Sequence, residues 1–188
     1  MPFNIPILLT WLRVALIPLV VGVYYLPAHW LPVKDQNLAA TVVFIVAAVT
    51  DWFDGYLARR WNQTSAFGAF LDPVADKLMV AGALLVLVQL DRVSAVIAFI
   101  IVGREITISA LREWMAQIGA HGLVKVAVLG KLKTIVQMVA ISCLLFREDL
   151  FGLPVFLVGY VMLFIAAALT LWSGADYMIA AWPRMKKE

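Results

Sequence analysis

Charge is scarce in this chain. Of its 188 residues only 14% are Asp, Glu, Lys or Arg, whereas 64% are hydrophobic and the mean hydropathy is +0.94. Soluble domains carry about 25% charged and about 45–50% apolar residues. So few charges cannot cover the surface of a domain this size, which excludes an ordinary water-soluble fold. A disordered chain needs the opposite composition and is excluded as well. Cysteine is nearly absent: Cys143 stands alone in an apolar run, so no internal disulfide can form. Segments of alternating apolar and polar residues, the mark of a membrane barrel, are missing too. The N-terminus, M-P-F-N-I-P-I-L-L-T-W-L-R, has no basic region ahead of its apolar stretch and no small-residue cleavage site after it. It reads as a retained first span, not a signal peptide. What is left is an all-α polytopic membrane protein.

A membrane span takes about 20 mostly apolar residues, and charges mark where spans end. Residues 1–33 hold one charged side chain, Arg13, and close at Pro27 and Pro32; Lys34 and Asp35 read as a short turn. Further apolar runs cover 38–50, 78–90, 93 to about 104, 134–146 and 150–175, with a glycine-containing loop at 119–130. Six transmembrane helices are predicted. Lys34, Arg92 and Arg147 fall on one side of them. Arg59, Arg60, Lys77, Arg104, Arg112, Lys125, Lys131, Lys133, Arg184, Lys186 and Lys187 fall on the other. The basic side, with both termini, is therefore expected in the cytoplasm. Trp30, Trp61, Trp114 and Trp182 lie near span ends, where aromatic anchors are expected. No repeat or linker divides residues 1–188, so one domain is expected.

The informative stretch is residues 51–77, D-W-F-D-G-Y-L-A-R-R-W-N-Q-T-S-A-F-G-A-F-L-D-P-V-A-D-K. Asp51 and Asp54 are spaced i,i+3 and share one helix face; Asp72 and Asp76, spaced i,i+4, share another. Asp72 before Pro73 suits a helix start, with Asp as the cap. The two helices are expected to be antiparallel neighbours whose acidic faces meet. Four converging carboxylates cannot all stay ionised without cations. Two divalent ions would balance them, and all-oxygen ligands favour Mg2+ or Mn2+ over zinc. Such a pair forms a clamp for in-line displacement at phosphorus. A single aspartate at a span end can instead cap a helix or pair with Arg59, Arg60 or Lys77. Gly55 and Gly68 fit a close approach of helix or ligand, and Arg59 can offer its planar fork to phosphate oxygens.

The spacing D-x2-D-G-x2-A-R-x8-G-x3-D-x3-D is met by Asp51, Asp54, Gly55, Ala58, Arg59, Gly68, Asp72 and Asp76 without departure. It resembles the signature of the CDP-alcohol phosphatidyltransferase family. The resemblance implies a six-helix membrane fold, two metal ions on Asp51, Asp54, Asp72 and Asp76, and a CDP-linked lipid donor with CMP as leaving group. It also implies Asp76 as the general base and Gly55, Arg59 and Gly68 as lining of the CDP site.

That signature leaves the acceptor alcohol open. In R-E-I-T-I-S-A-L-R-E-W-M-A, residues 104–116, Arg104, Ile108 and Arg112 lie on one helix stripe, so the two arginines can converge on one anion. Lys131 and Lys133 open the fifth span in G-K-L-K-T-I-V-Q-M, and Arg13 adds a cation at the same level. A phosphate-bearing acceptor needs such a pocket, whereas a neutral polyol does not. The alternative is that these cations only enforce topology, which suits Lys125, Lys186 and Lys187. Glu105 reads as a partner for a neighbouring cation. These segments and N-I-P-I-L-L-T-W-L-R look like the bacterial branch of the family that uses sn-glycerol 3-phosphate. The likeness implies that CDP-diacylglycerol and sn-glycerol 3-phosphate give phosphatidylglycerophosphate and CMP at the inner membrane, by a protein that can form a homodimer. Nothing in the pattern points to nucleic acid. Other acceptors (serine, inositol phosphate, phosphatidylglycerol) and a divalent-cation transporter are the rival readings. The transporter fits poorly because the acids gather at one face.

Overall fold

The computed structural model describes residues 5–61, 66–117 and 128–185. Asp54, Gly55, Arg59 and Lys131 belong to helices, but their side chains lie outside the described residues. Among the described residues there are six α-helices, one short 3-10 turn and no strand. In chain order they are α1 (Ile5–Gly22), the 3-10 turn (Val23–Tyr25), α2 (Val33–Arg60), α3 (Ala66–Gln89), α4 (Ala95–Gln117), α5 (Val128–Phe146) and α6 (Val155–Met185). Among the described residues, three stretches are long and apolar enough to cross a membrane: Leu8–Tyr25, Val33–Asp51 and Val155–Trp182.

Most helices run past the apolar stretches that announce them. Lys34 and Asp35, expected in a turn, sit in the first turn of α2, which starts directly after Pro32. Asp72 is not a helix cap either, because α3 already begins at Ala66 and Pro73 lies inside it. Charges limit how much of a helix can sit among lipid tails; they do not end the hydrogen-bonded ladder, which continues as long as backbone groups pair. α3 ends instead on its own backbone signal. Asp91 adopts a left-handed φ of 54°, and the amides of Asp91 and Arg92 donate to the carbonyls of Val88 and Leu87 at 3.0 and 2.9 Å. That pairing is a Schellman motif with Asp in the place usually given to glycine.

The core is one apolar cluster fed by every helix. Phe44, Met79, Leu84, Leu87, Ile101 and Ile141 are among its fully buried members. A smaller cluster of Ile108, Leu111, Met115, Tyr177 and Ala181 joins the far ends of α4 and α6, and Trp114 packs on it instead of standing free as a belt residue. Trp30, Trp61 and Trp182 are exposed, as expected of anchors. Many large apolar side chains also face outward, including Leu85, Phe99, Ile135 and Ile179. Such a surface suits lipid, since a protein in water rarely exposes large contiguous apolar patches. α5 and α6 pack tightly where Gly159 meets Cys143. A Cβ on that glycine would stand 2.7 Å from the Cβ of Cys143 and 3.0 Å from the Ala140 carbonyl oxygen.

The topology gathers the polar residues at the bundle's ends. Odd-numbered helices start, and even-numbered helices finish, at the same end, so the early residues of α1, α3 and α5 meet the late residues of α2, α4 and α6.

Candidate functional site

α1 is what joins the two acidic helices. It packs on both α2 and α3, which touch each other far less. Thr10 Oγ1 donates to Asp72 Oδ1 at 2.8 Å, and one turn later Arg13 Nη1 lies 2.5 Å from Asp51 Oδ1. Arg13 is wholly buried, whereas the Asp51 side chain is 41% exposed. Arg13, grouped from sequence with the phosphate-binding cations, is therefore engaged by a carboxylate of the acidic cluster. Its neighbour in the i,i+3 register, Thr10, carried no signal among apolar residues.

Asp51 of α2 and Asp76 of α3 line one cavity of about 610 Å³. Its walls are Ile45, Ala48 and Val49 of α2 and a strip of α5 from Thr134 to Cys143. Ile45, Val49, Ile135 and Val139 are each more than two-fifths exposed, so the cavity is a groove on the outer surface of the bundle. It is apolar along its length and acidic at one end. The charges of Asp51, Glu105, Arg13 and Lys77 all act on Asp76, and that of Asp72 acts on Asp51. Gly68 lies two turns before Asp76 on α3, in register with the acidic face. Among the described residues, no group of three or more His, Cys, Asp or Glu side chains is close enough to hold a metal ion. Asp54, the fourth expected ligand, lies outside them. The donor chemistry of Asp51, Asp72 and Asp76 nonetheless suits a hard cation, because every donor is a carboxylate oxygen.

A second set of polar contacts links α4 to its neighbours. Arg104 Nη2 donates to Ser173 Oγ at 2.6 Å, and Arg112 Nη2 donates to Tyr177 Oη at 2.8 Å with its guanidinium 4.7 Å over the tyrosine ring. Arg104 and Arg112, eight residues apart, are thus met by hydroxyls four residues apart on α6. Gly174 makes this possible for Arg104: a Cβ there would press on the arginine stem at 3.2 Å. Lys77, beside Asp76, donates to Ser109 Oγ at 2.6 Å. On the other flank Lys133, only 3% exposed, donates to Glu105 Oε1 at 3.0 Å, and Gln137 Nε2 donates to the same oxygen at 3.1 Å. The charges of Arg104 and Asp76 both act on Lys133, so the two sets are contiguous.

The structure thus brings Asp51, Asp72, Asp76, Arg104, Arg112 and Lys133 to one end of the bundle. Glu105, Gln137, Ser173 and Tyr177 complete the constellation. Gln137 was legible in principle, since it stands i,i+4 from Lys133 on α5; Ser173 and Tyr177 show the same spacing on α6.

A family model described as CDP-alcohol phosphatidyltransferase matches residues 3–172. The chain belongs to the CDP-alcohol phosphatidyltransferase family. The match spans Thr10, Arg13, all four aspartates, α4 and α5, and stops just before Ser173 and Tyr177 of α6. A CDP-diacylglycerol–glycerol-3-phosphate 3-phosphatidyltransferase of Escherichia coli (strain K12) is 52% identical over 183 residues, which cover 96% of each chain. The protein of the same description from Shigella flexneri serotype 5b (strain 8401) is equally similar over the same coverage.

Proposed function

We propose that this phosphatidyltransferase moves the phosphatidyl group of CDP-diacylglycerol to sn-glycerol 3-phosphate, giving phosphatidylglycerophosphate and CMP. The observation that carries the reading is the outward-facing apolar groove that ends at Asp51 and Asp76. A lipid with a charged diphosphate has that shape and polarity: acyl chains among α2, α5 and bulk lipid, diphosphate at the acidic end. A carboxylate cluster alone would repel the diphosphate, so bound cations are part of the reading. Two divalent ions, Mg2+ or Mn2+, held by Asp51, Asp54, Asp72 and Asp76, would neutralise the diphosphate and the charge that develops on the leaving CMP. Gly55, Arg59 and Gly68 line the CDP portion.

Arg104, Arg112, Lys131 and Lys133 hold the acceptor phosphate, with the arginines steadied by Ser173 and Tyr177 and Lys133 by Glu105. Guanidinium donors bound to neutral hydroxyls can turn to a dianion at little cost, because charge-assisted bonds are about twice as strong as neutral ones. Asp76 takes the proton of the acceptor's primary hydroxyl, whose oxygen attacks the lipid-side phosphorus. The new P–O bond forms as the bond to the CMP phosphate oxygen breaks, and CMP leaves with that electron pair. Six crossings with both termini cytoplasmic, in a bacterial inner membrane, would place this end at the cytoplasmic face, where a water-soluble acceptor can enter. The 1–188 chain acts as one domain and pairs as a homodimer through apolar helix faces.

An acceptor panel tests the reading. Purified protein in CDP-diacylglycerol micelles with Mg2+ is offered sn-glycerol 3-phosphate, serine, inositol phosphate or phosphatidylglycerol, and CMP release is followed. Release is expected with sn-glycerol 3-phosphate alone, abolished by chelation and restored by Mg2+ or Mn2+. Release with another acceptor instead overturns the substrate, and release with none overturns the transferase.

A further inference from the structure

Beside the Glu105–Lys133 pair, two buried polar atoms have no hydrogen-bond partner among the described residues: Arg104 Nε, a donor, and Gln137 Oε1, an acceptor. Arg92 Nε, also without one, lies at the opposite end with Tyr24 beside it, and Thr170 Oγ1 belongs to α6. Buried polar atoms are nearly always paired, and leaving one unpaired costs about 1–3 kcal/mol. Gln137 is 1% exposed, so bulk water does not repay that cost. The orientation of its amide is fixed by chemistry. Turning the amide over would set Oε1 against the Glu105 carboxylate, two acceptors with no proton between them. Glu105 therefore holds Lys133 and Gln137 by one oxygen and leaves the glutamine carbonyl pointing away from itself.

This polar cluster is thus incomplete in a particular way. At Arg104 Nε it lacks an acceptor; at Gln137 Oε1 it lacks a donor. A phosphate group fills only the first need. A phosphorylated polyol fills both.

We infer that Gln137 is a specificity-determining residue that accepts a hydrogen bond from the secondary hydroxyl of the acceptor while Arg104 and Lys133 take its phosphate. The inference rests on the proposed use of sn-glycerol 3-phosphate, and deepens it by assigning the second hydroxyl. Glu105 then acts at a distance from the reacting atoms, as the positioning residue that keeps the glutamine carbonyl turned to the substrate.

The test compares sn-glycerol 3-phosphate with 3-hydroxypropyl phosphate, which differs only in lacking the secondary hydroxyl. The unaltered enzyme is expected to favour the former by about ten- to a hundredfold in kcat/KM, since the analogue leaves a buried acceptor unpaired. Gln137→Met keeps the volume and removes the carbonyl; its preference should fall below about threefold, with the KM for CDP-diacylglycerol unchanged. Gln137→Asn, which withdraws the carbonyl by one methylene, should lose the preference in the same way, and serves if the Met variant does not fold. Equal use of both acceptors by the unaltered enzyme overturns the inference without any variant. Full preference retained in Gln137→Met or Gln137→Asn overturns it too. A protein that releases no CMP with sn-glycerol 3-phosphate itself would instead overturn the acceptor assignment beneath.

Discussion

At one end of the bundle Arg92 is 3% exposed and donates to the backbone carbonyls of Leu144 and Leu145 at 3.0 and 2.8 Å and to Asn37 Oδ1 at 2.7 Å. At the other end Arg104 donates to a serine hydroxyl, Arg112 to a tyrosine hydroxyl and Lys133 to a glutamate. Arg92, placed from sequence only on the less basic side of the spans, turns inward because the Schellman end of α3 aims it at the open C-terminus of α5. There it supplies donors to carbonyls that have no partner inside their own helix. Tyr24 adds a hydroxyl to the same asparagine oxygen at 3.3 Å, so the 3-10 turn, α2, the α3–α4 turn and α5 share one clasp. Two of the three acceptors of Arg92 are backbone groups, fixed wherever the helix is. The partners at the acidic end are side chains that can exchange one another for a phosphate. One arginine holds the scaffold together, and the others are held by it.

Five substitutions sharpen or break this comparison. Asp76→Asn should lower CMP release by about a hundredfold or more, the usual weight of a general base, while the melting temperature stays near that of the parent; near-parent turnover would remove Asp76 from the chemistry. Arg92→Met should do the reverse. It leaves two carbonyls and Asn37 unpaired and should cost roughly 2 kcal/mol of stability, with turnover per folded molecule close to the parent's. If that variant melts normally and loses activity, the distinction between the ends fails. Ser173→Ala and Tyr177→Phe should raise the KM for sn-glycerol 3-phosphate about threefold each, the worth of an average hydrogen bond between membrane helices, and leave the KM for the lipid donor alone. Equal effects on both substrates would make these hydroxyls general packing groups. The smallest effect belongs to Lys34→Ala. Its 3.7 Å pair with Glu148 is largely exposed at the clasp end, and thermal unfolding should not register its loss.

How much of this was legible beforehand follows from where the signal lies. The carboxylates stand out because charge is rare in apolar sequence and costly to insert, so Asp51, Asp72 and Asp76 announce themselves by spacing alone. Arg104 and Arg112 show by the same logic that they share a stripe. What spacing cannot give is the partner across the helix boundary. Asp51 was read as a neighbour of the α3 acids, and nothing in the spacing announced that Arg13 of α1 would pair with it. Pro73 looked like a helix start, a good local signal overridden by the backbone pairing of residues 66–72. Neutral residues gave least of all: Thr10, Gln137 and Ser173 are ordinary in composition and matter only through what faces them.

The sequence by itself determined that this protein is helical and apolar, which residues carry its few charges, and to which family its acidic signature belongs. Each of these is a property of composition or of spacing along one helix. The tertiary structure decided which charges meet. It set Arg13 on Asp51, gave Arg104 and Arg112 to α6, put Lys133 and Gln137 on one oxygen of Glu105, and opened a lipid-facing groove at the carboxylates. These are contacts between helices far apart in the chain, fixed by packing side chains of particular shape, and helical periodicity holds no information about them.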